Sequence, residues 1–235
     1  MTIHVIKLYR TYMKKLIVGC AIALASILAL QILQAQGTTY LSNLGQPSDG
    51  SNAVGSDSWL AAAFYTGTNA SGYTLNSIQL GMADASGNPS GFTVMLYSAF
   101  NGPGIEPGIS LGTLEGSLNP VTGGIFTYTP VSNLTLSPIT YYFIVLTAGT
   151  TVANGAYELE YAYTSSYNPS GRWLGVVTSS SSSGSSPWIR LGANPQYDFS
   201  KFAVNATDIP EPSSEILLGL GVLGFLWHRR KATPV

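Results

Sequence analysis

An all-β chain, folded as a β-sandwich with a jelly roll as one arrangement of it, is what these 235 residues predict. Three observations carry the prediction. The 45% hydrophobic content is spread through Gly, Ser, Thr, Asn and Tyr instead of being gathered at helical spacing. Short runs rich in β-branched and aromatic residues recur along the chain, some alternating and some continuous. Gly, Pro and Asn clusters separate them, as turns require.

Each element follows from its residues. Tyr73 to Met82 alternates: Tyr73, Leu75 and Ser77 share one face, and Ile78, Leu80 and Met82 the other. The phase changes near Ser77, which predicts a bulge there. Phe92 to Tyr97 is a second strand, bounded by Ser86-Gly87-Asn88-Pro89 and Asn101-Gly102-Pro103-Gly104. Ile125 to Tyr128 is a third. Tyr141-Tyr142-Phe143-Ile144-Val145-Leu146 is nearly continuous and apolar, the pattern of a central strand buried on both faces. Ala156 to Tyr163 alternates again, with Glu158 and Glu160 outward. Trp188 to Leu191 and Phe199 to Val204 close the domain. Thr178 to Pro187 is Ser-rich and reads as a flexible, exposed loop.

The two ends follow a different pattern. Met13-Lys14-Lys15 precedes an apolar run from Leu16 to Leu30, then small and polar residues. Residues 1–37 are therefore expected to be a secretory signal peptide, with Met13 as its start and cleavage after Ala35 or Gly37. Cys20 lies inside the apolar run. Most of that run follows it, which argues against a lipoprotein box. Residues 38–209 form one exported domain, long enough for a core.

Residues 210–235 begin with Pro210-Glu211-Pro212, continue as an apolar run from Ile216 to Trp227 and end on His228-Arg229-Arg230-Lys231. The 16 residues from Ser213 to His228 would span about 24 Å as a helix, short against a hydrocarbon core of roughly 30 Å. Arg229, Arg230 and Lys231 can snorkel to the interface, and they predict a cytoplasmic C-terminus. Pro210 and Pro212 hold their neighbours extended, so Glu211 is presented on a short stiff stretch beside the membrane. This tail resembles the PEP-CTERM sorting signal of exported Gram-negative proteins. Pro210, Glu211 and Pro212 match the tripeptide, and Arg229, Arg230 and Lys231 match the basic end; Ile209 stands where Val is usual. The resemblance implies processing by an exosortase-like enzyme at the inner membrane.

Composition excludes several functions. Residues 38–209 carry nine acidic and three basic residues, a formal charge of −6, so no basic patch awaits nucleic acid. They contain no Cys and no His. That removes disulfides, Cys nucleophiles, Ser-His-Asp triads and His-based zinc sites together. No metal, cofactor or catalytic residue is expected. Three weaker features remain. Glu158 and Glu160, about 7 Å apart on one strand face, have the spacing of a glycosidase pair, although an outward polar face on an edge-facing strand gives the same pattern. Trp59, Trp173 and Trp188 could form a glycan-stacking platform. Asp84-Ala85-Ser86-Gly87-Asn88 offers oxygen ligands in a turn; calcium would want about six to eight, and an ordinary turn has the same residues. Asn69, Asn133 and Asn205 begin sequons, which are expected to be incidental in the bacterial setting that the tail implies.

The body also resembles a family of exported β-rich modules, the choice-of-anchor R domain, from Trp59 to Ala206. The matching pieces include Ala63-Phe64, Thr66-Gly67, Val94, Leu96-Tyr97-Ser98, Pro107-Gly108, Leu114-Glu115-Gly116 and Leu136-Ser137-Pro138. Such modules occur with different C-terminal anchors, and none of their residues is catalytic. The combined expectation is an exported, non-enzymatic protein of the cell surface or extracellular matrix, set among exopolysaccharide or biofilm. Its partners would be the sorting enzyme, the inner membrane and a polysaccharide. A carbohydrate-binding module, and after it a glycoside hydrolase, are the alternatives.

Overall fold

The computed structural model describes residues 37–100, 105–164, 173–176, 178–193 and 196–210. The expected signal peptide lies outside these residues except for Gly37, and so does the expected membrane segment from Ile216 to Trp227. Among the described residues, no helix is long and apolar enough to cross a membrane.

The fold is all-β. In chain order the strands are β1 (Thr38–Ser42), β2 (Gly50–Val54), β3 (Trp59–Tyr65), β4 (Tyr73–Gly87), β5 (Thr93–Ala99), β6 (Pro107–Glu115), β7 (Gly124–Pro130), β8 (Thr135–Leu136) and β9 (Tyr141–Thr147). After a 3-10 turn at Val152–Asn154 come β10 (Gly155–Ala162), β11 (Leu174–Gly175), β12 (Ser179–Ser181), β13 (Ile189–Arg190), β14 (Gly192–Ala193), β15 (Gln196–Tyr197), β16 (Phe199–Ser200) and β17 (Phe202–Asp208).

One antiparallel sheet takes up all but β14 and β15, and it curls over itself to make a sandwich-like body. One half runs β1-β17-β4-β7, with β10 and β2 continuing from the far end of β4. The other half runs β6-β5-β9-β3-β12-β13. The halves join where β6 pairs with β7, at Leu114 opposite Pro130 and Glu115 opposite Thr129. Between them lies the main core. Ile78, Leu80, Tyr157, Leu159, Phe202 and Val204 contribute from one half, and Leu60, Phe64, Val94, Leu96, Ile144 and Leu146 from the other. Each such side chain contributes about 1.5–3 kcal/mol by leaving water.

The pattern of β4 explains its length. Ser77 pairs with Asn205 and Leu75 with Ala206, so Asn76 is the extra residue of a bulge. The bulge turns both runs inward: Tyr73 and Leu75 before it, and Ile78, Leu80 and Met82 after it, are all buried. β9 lies between β5 and β3, and Tyr142 to Leu146 are buried throughout, as a continuous apolar run requires.

Two expectations are corrected. The Ser-rich segment is not wholly a loop. Ser179 to Ser181 form β12, zipped between β3 and β13, with Thr178, Ser179 and Ser181 buried. Small hydroxyl side chains fit there because Ser181 Oγ donates to the Ser185 carbonyl and Thr178 Oγ1 shares a hydrogen bond of 2.6 Å with Ser200 Oγ. Asp84 to Gly87 are not a turn either; they are the end of β4, paired with β10 through Ser86 and Gly87.

Candidate functional site

The C-terminal signal leaves the domain from β17. This strand is interior, held by β1 on one side and β4 on the other, with Ala206 opposite Thr38 and Asp208 opposite Tyr73. The N-terminal strand therefore starts at the end of the sheet where the C-terminal strand finishes. A turn clamps that end. Asn69 Nδ2 donates to the carbonyls of Gly72 (2.9 Å) and Ile209 (3.2 Å) and to Asp208 Oδ1 (3.1 Å). The Asn69 Oδ1 accepts from the Ser71 N–H, and the Ile209 N–H donates to the Gly72 carbonyl. Gly72 is required: its φ is +81°, and a Cβ there would sit 2.5 Å from the Leu136 carbonyl oxygen. Burial, together with a hydrogen bond to the Asp208 carboxylate, pushes the Tyr40 phenol above its ordinary pKa. Past this clamp Pro210 is exposed. Glu211, Pro212, Arg229, Arg230 and Lys231 lie outside the described residues.

The three tryptophans do not share a surface. Trp173 is fully buried in the main core. It stacks on Tyr40 (centroids 5.1 Å apart) and Phe64 (5.8 Å) and meets the Tyr73 ring edge-on at 4.9 Å. Its indole N–H has no acceptor among the described residues. Trp173 is thus a core residue and leaves the expected platform. Trp188 and Trp59 lie on the outer face of β3 and β9, where Trp188 packs with Ala61, Ala63, Phe143 and Val145. Only 8% of Trp188 is exposed. Trp59 is half-buried; its Nε1–H donates to the Ser56 carbonyl, and the Gly184 backbone lies against its ring. These rings fill space and offer little open face for stacking.

Glu158 and Glu160 do share the outward face of β10. The strand is not at an edge, because β2 and β4 flank it. Each carboxylate has its own partner. Ser51 Oγ donates to Glu158 Oε2 at 2.8 Å, and Lys201 Nζ to Glu160 Oε2 at 2.9 Å. Asp84 Oδ1 accepts the Gly123 N–H at 2.7 Å. Among the described residues no group of three or more His, Cys, Asp or Glu is placed to hold a metal. Asn69 was legible only as a sequon; its role as a clamp depends on partners far along the chain, which local sequence does not reveal.

No curated protein and no solved structure matches the chain significantly. Residues 208–231, from the last residue of β17 through the basic end, match the family model described as the PEP-CTERM protein-sorting motif. The chain therefore carries a signal that exosortase recognises, one that implies an exported protein sorted through the membrane to the cell surface.

Proposed function

We propose that this chain is a non-enzymatic β-domain of the cell surface or extracellular matrix of a Gram-negative bacterium, displayed among exopolysaccharide. The sorting motif at residues 208–231 carries the reading. The junction supports it: among the described residues the last backbone bond and the clamp fall at Ile209, and Pro210 stands exposed directly beyond. A processing enzyme could work there without pulling on the sheet. The domain's composition also suits a hydrated polymer setting, with few charges and many Ser, Thr, Asn and Tyr. The resemblance of Trp59 to Ala206 to the choice-of-anchor R domain agrees with a module whose anchor is exchangeable.

The test is delivery in the native host. Changing Pro210, Glu211 and Pro212 together to Ala should leave the protein folded but retained in the inner-membrane fraction, while the unaltered chain reaches the surface or matrix. Equal surface delivery of both would contradict the reading. A glycosidase reading has less support, since Glu158 and Glu160 are each held by a separate partner. Hydrolysis of an oligosaccharide that disappears in a Glu158→Gln, Glu160→Gln double variant would reinstate it.

A further inference from the structure

On the outward side of the sheet, where β4, β7 and β10 meet the link between β16 and β17, a cleft of about 370 Å³ opens. Leu44, Gly81, Asp84, Ile125, Glu160 and Lys201 contribute to its lining, together with Gly123 and Gly124. The sheet builds it in a specific way. Lys201 sits between β16 and β17, its N–H donating to the Glu160 carbonyl (2.8 Å) and its carbonyl accepting from the Gly81 N–H (2.9 Å). Its ammonium then reaches Glu160 Oε2 at 2.9 Å, with side-chain exposures of 10% for Lys201 and 24% for Glu160. A Cβ on Gly81 would lie 3.2 Å from Lys201 Cβ and 3.3 Å from Glu160 Oε2, so the missing side chain lets the ion pair lie across the strand. Asp84 is held by the Gly123 N–H, and Ile125 is 59% exposed.

A mostly buried ion pair is weak as a source of stability, because apolar residues of similar volume often replace it without loss. Its presence in a cleft therefore calls for another reason. The cleft's charge pattern selects a ligand class. An anion would meet the carboxylates of Asp84 and Glu160. A cation would meet an ammonium already seated on Glu160. A neutral polyol suits both, donating hydroxyl protons to the carboxylates and accepting from Lys201. Its C–H face can lie on Leu44 and Ile125. The volume falls within the range of small-ligand clefts, about 300–1,000 Å³. We propose that this cleft binds a neutral hexose unit of a polysaccharide, using Glu160, Lys201 and Asp84 and not the tryptophans. The proposal takes its setting from the surface-protein reading above.

The experiment uses the full chain, solubilised in a detergent without a sugar headgroup. Saturation-transfer NMR with short oligomers of glucose, galactose, mannose and N-acetylglucosamine reads binding, and calcium chloride is the cation control. At least one oligomer should bind. Glu160→Gln keeps the shape but removes a charged acceptor and should weaken that binding about tenfold or more. Gly123→Phe should fill the cleft and abolish binding while melting like the unaltered chain. The nearest atoms to a Cβ at Gly123 are 3.5 Å away, in ordinary van der Waals contact, so a side chain can start there without moving the backbone. The proposal is overturned if none of the four oligomers binds, if binding survives both variants, or if calcium binds at the cleft instead. Surface delivery of both variants, measured in the host, should match the unaltered chain. A failed cleft with intact delivery leaves the sorting reading standing, and failed delivery with sugar binding does the reverse.

Discussion

Asn69 ties together the loop before β4 and the exit from β17 through one amide group, whose two hydrogens are shared among three acceptors. Asn69→Ala should cost about 1–2 kcal/mol. It should also speed proteolysis near Pro210, because the clamp holds the residues just before it. Denaturant melts and limited digestion check both. Trp173 offers a sharper contrast at the same scale. Trp173→Ala should cost about 3–5 kcal/mol by opening a cavity among Tyr40, Phe64 and Tyr73. Trp173→Phe should cost much less, since the indole N–H has no acceptor among the described residues to lose. Equal losses would mean that the N–H is bonded after all. The sequence marked Trp173 as aromatic and near the end of the domain. Whether such a ring faces inward or outward depends on neighbours such as Tyr40 and Phe64, more than a hundred residues away, and no local pattern carries that.

At the scale of elements, β17 is the strand whose position matters most. It is the last strand of the described residues yet interior in the sheet, between β1 and β4. A chain ending at Ile209 should melt at the same temperature as a longer one, because among the described residues the last pairing is at Asp208 and the last backbone bond at the Ile209 N–H. A chain ending at Phe202 should not fold, because β1 loses β17, its partner strand among the described residues, and the core loses Val204 and Ala206. Strands with strong local signals were legible beforehand. The continuous apolar run of β9 announced a central strand, and the phase change in β4 announced its bulge. The run of serines hid β12, since Ser has weak β-propensity and only pairing with β3 and β13 makes it a strand. The pairing of first and last strands was equally hidden, because it joins positions at opposite ends of the domain.

The whole domain has an unusual titration range. Residues 38–209 contain no His and no Cys, so no side chain with an ordinary pKa between about 6 and 9 is present to change charge. Stability should be flat across that range. Above it the tyrosines act. Burial raises Tyr40, Tyr128 and Tyr157, and a hydrogen bond with Tyr163 heads the causes that push Tyr161 up to about 12. A raised folded pKa means that the folded state keeps its proton when the unfolded chain, near 10, has lost it. Their contribution is therefore fully present below about pH 10 and is lost as pH rises toward the folded values. Chemical denaturation at a series of pH values should show a plateau and then a decline above pH 10; a decline between 7 and 9 would contradict it.

At the scale of the molecule, an all-β domain precedes a sorting motif that we propose is removed. The motif from residue 208 to 231 was legible from a short stretch of sequence, because a Pro-Glu-Pro hinge, an apolar segment and a basic stop are all local. The cleft beside Lys201 was not, because Glu160, Lys201 and Gly81 meet only through pairing. The most direct test of the central claim is the intact mass of the mature protein from its native host, with its C-terminal residue identified. The account predicts a chain that ends close to Pro210-Glu211-Pro212. A mature protein that still carries His228-Arg229-Arg230-Lys231 would contradict it and make the tail a permanent anchor.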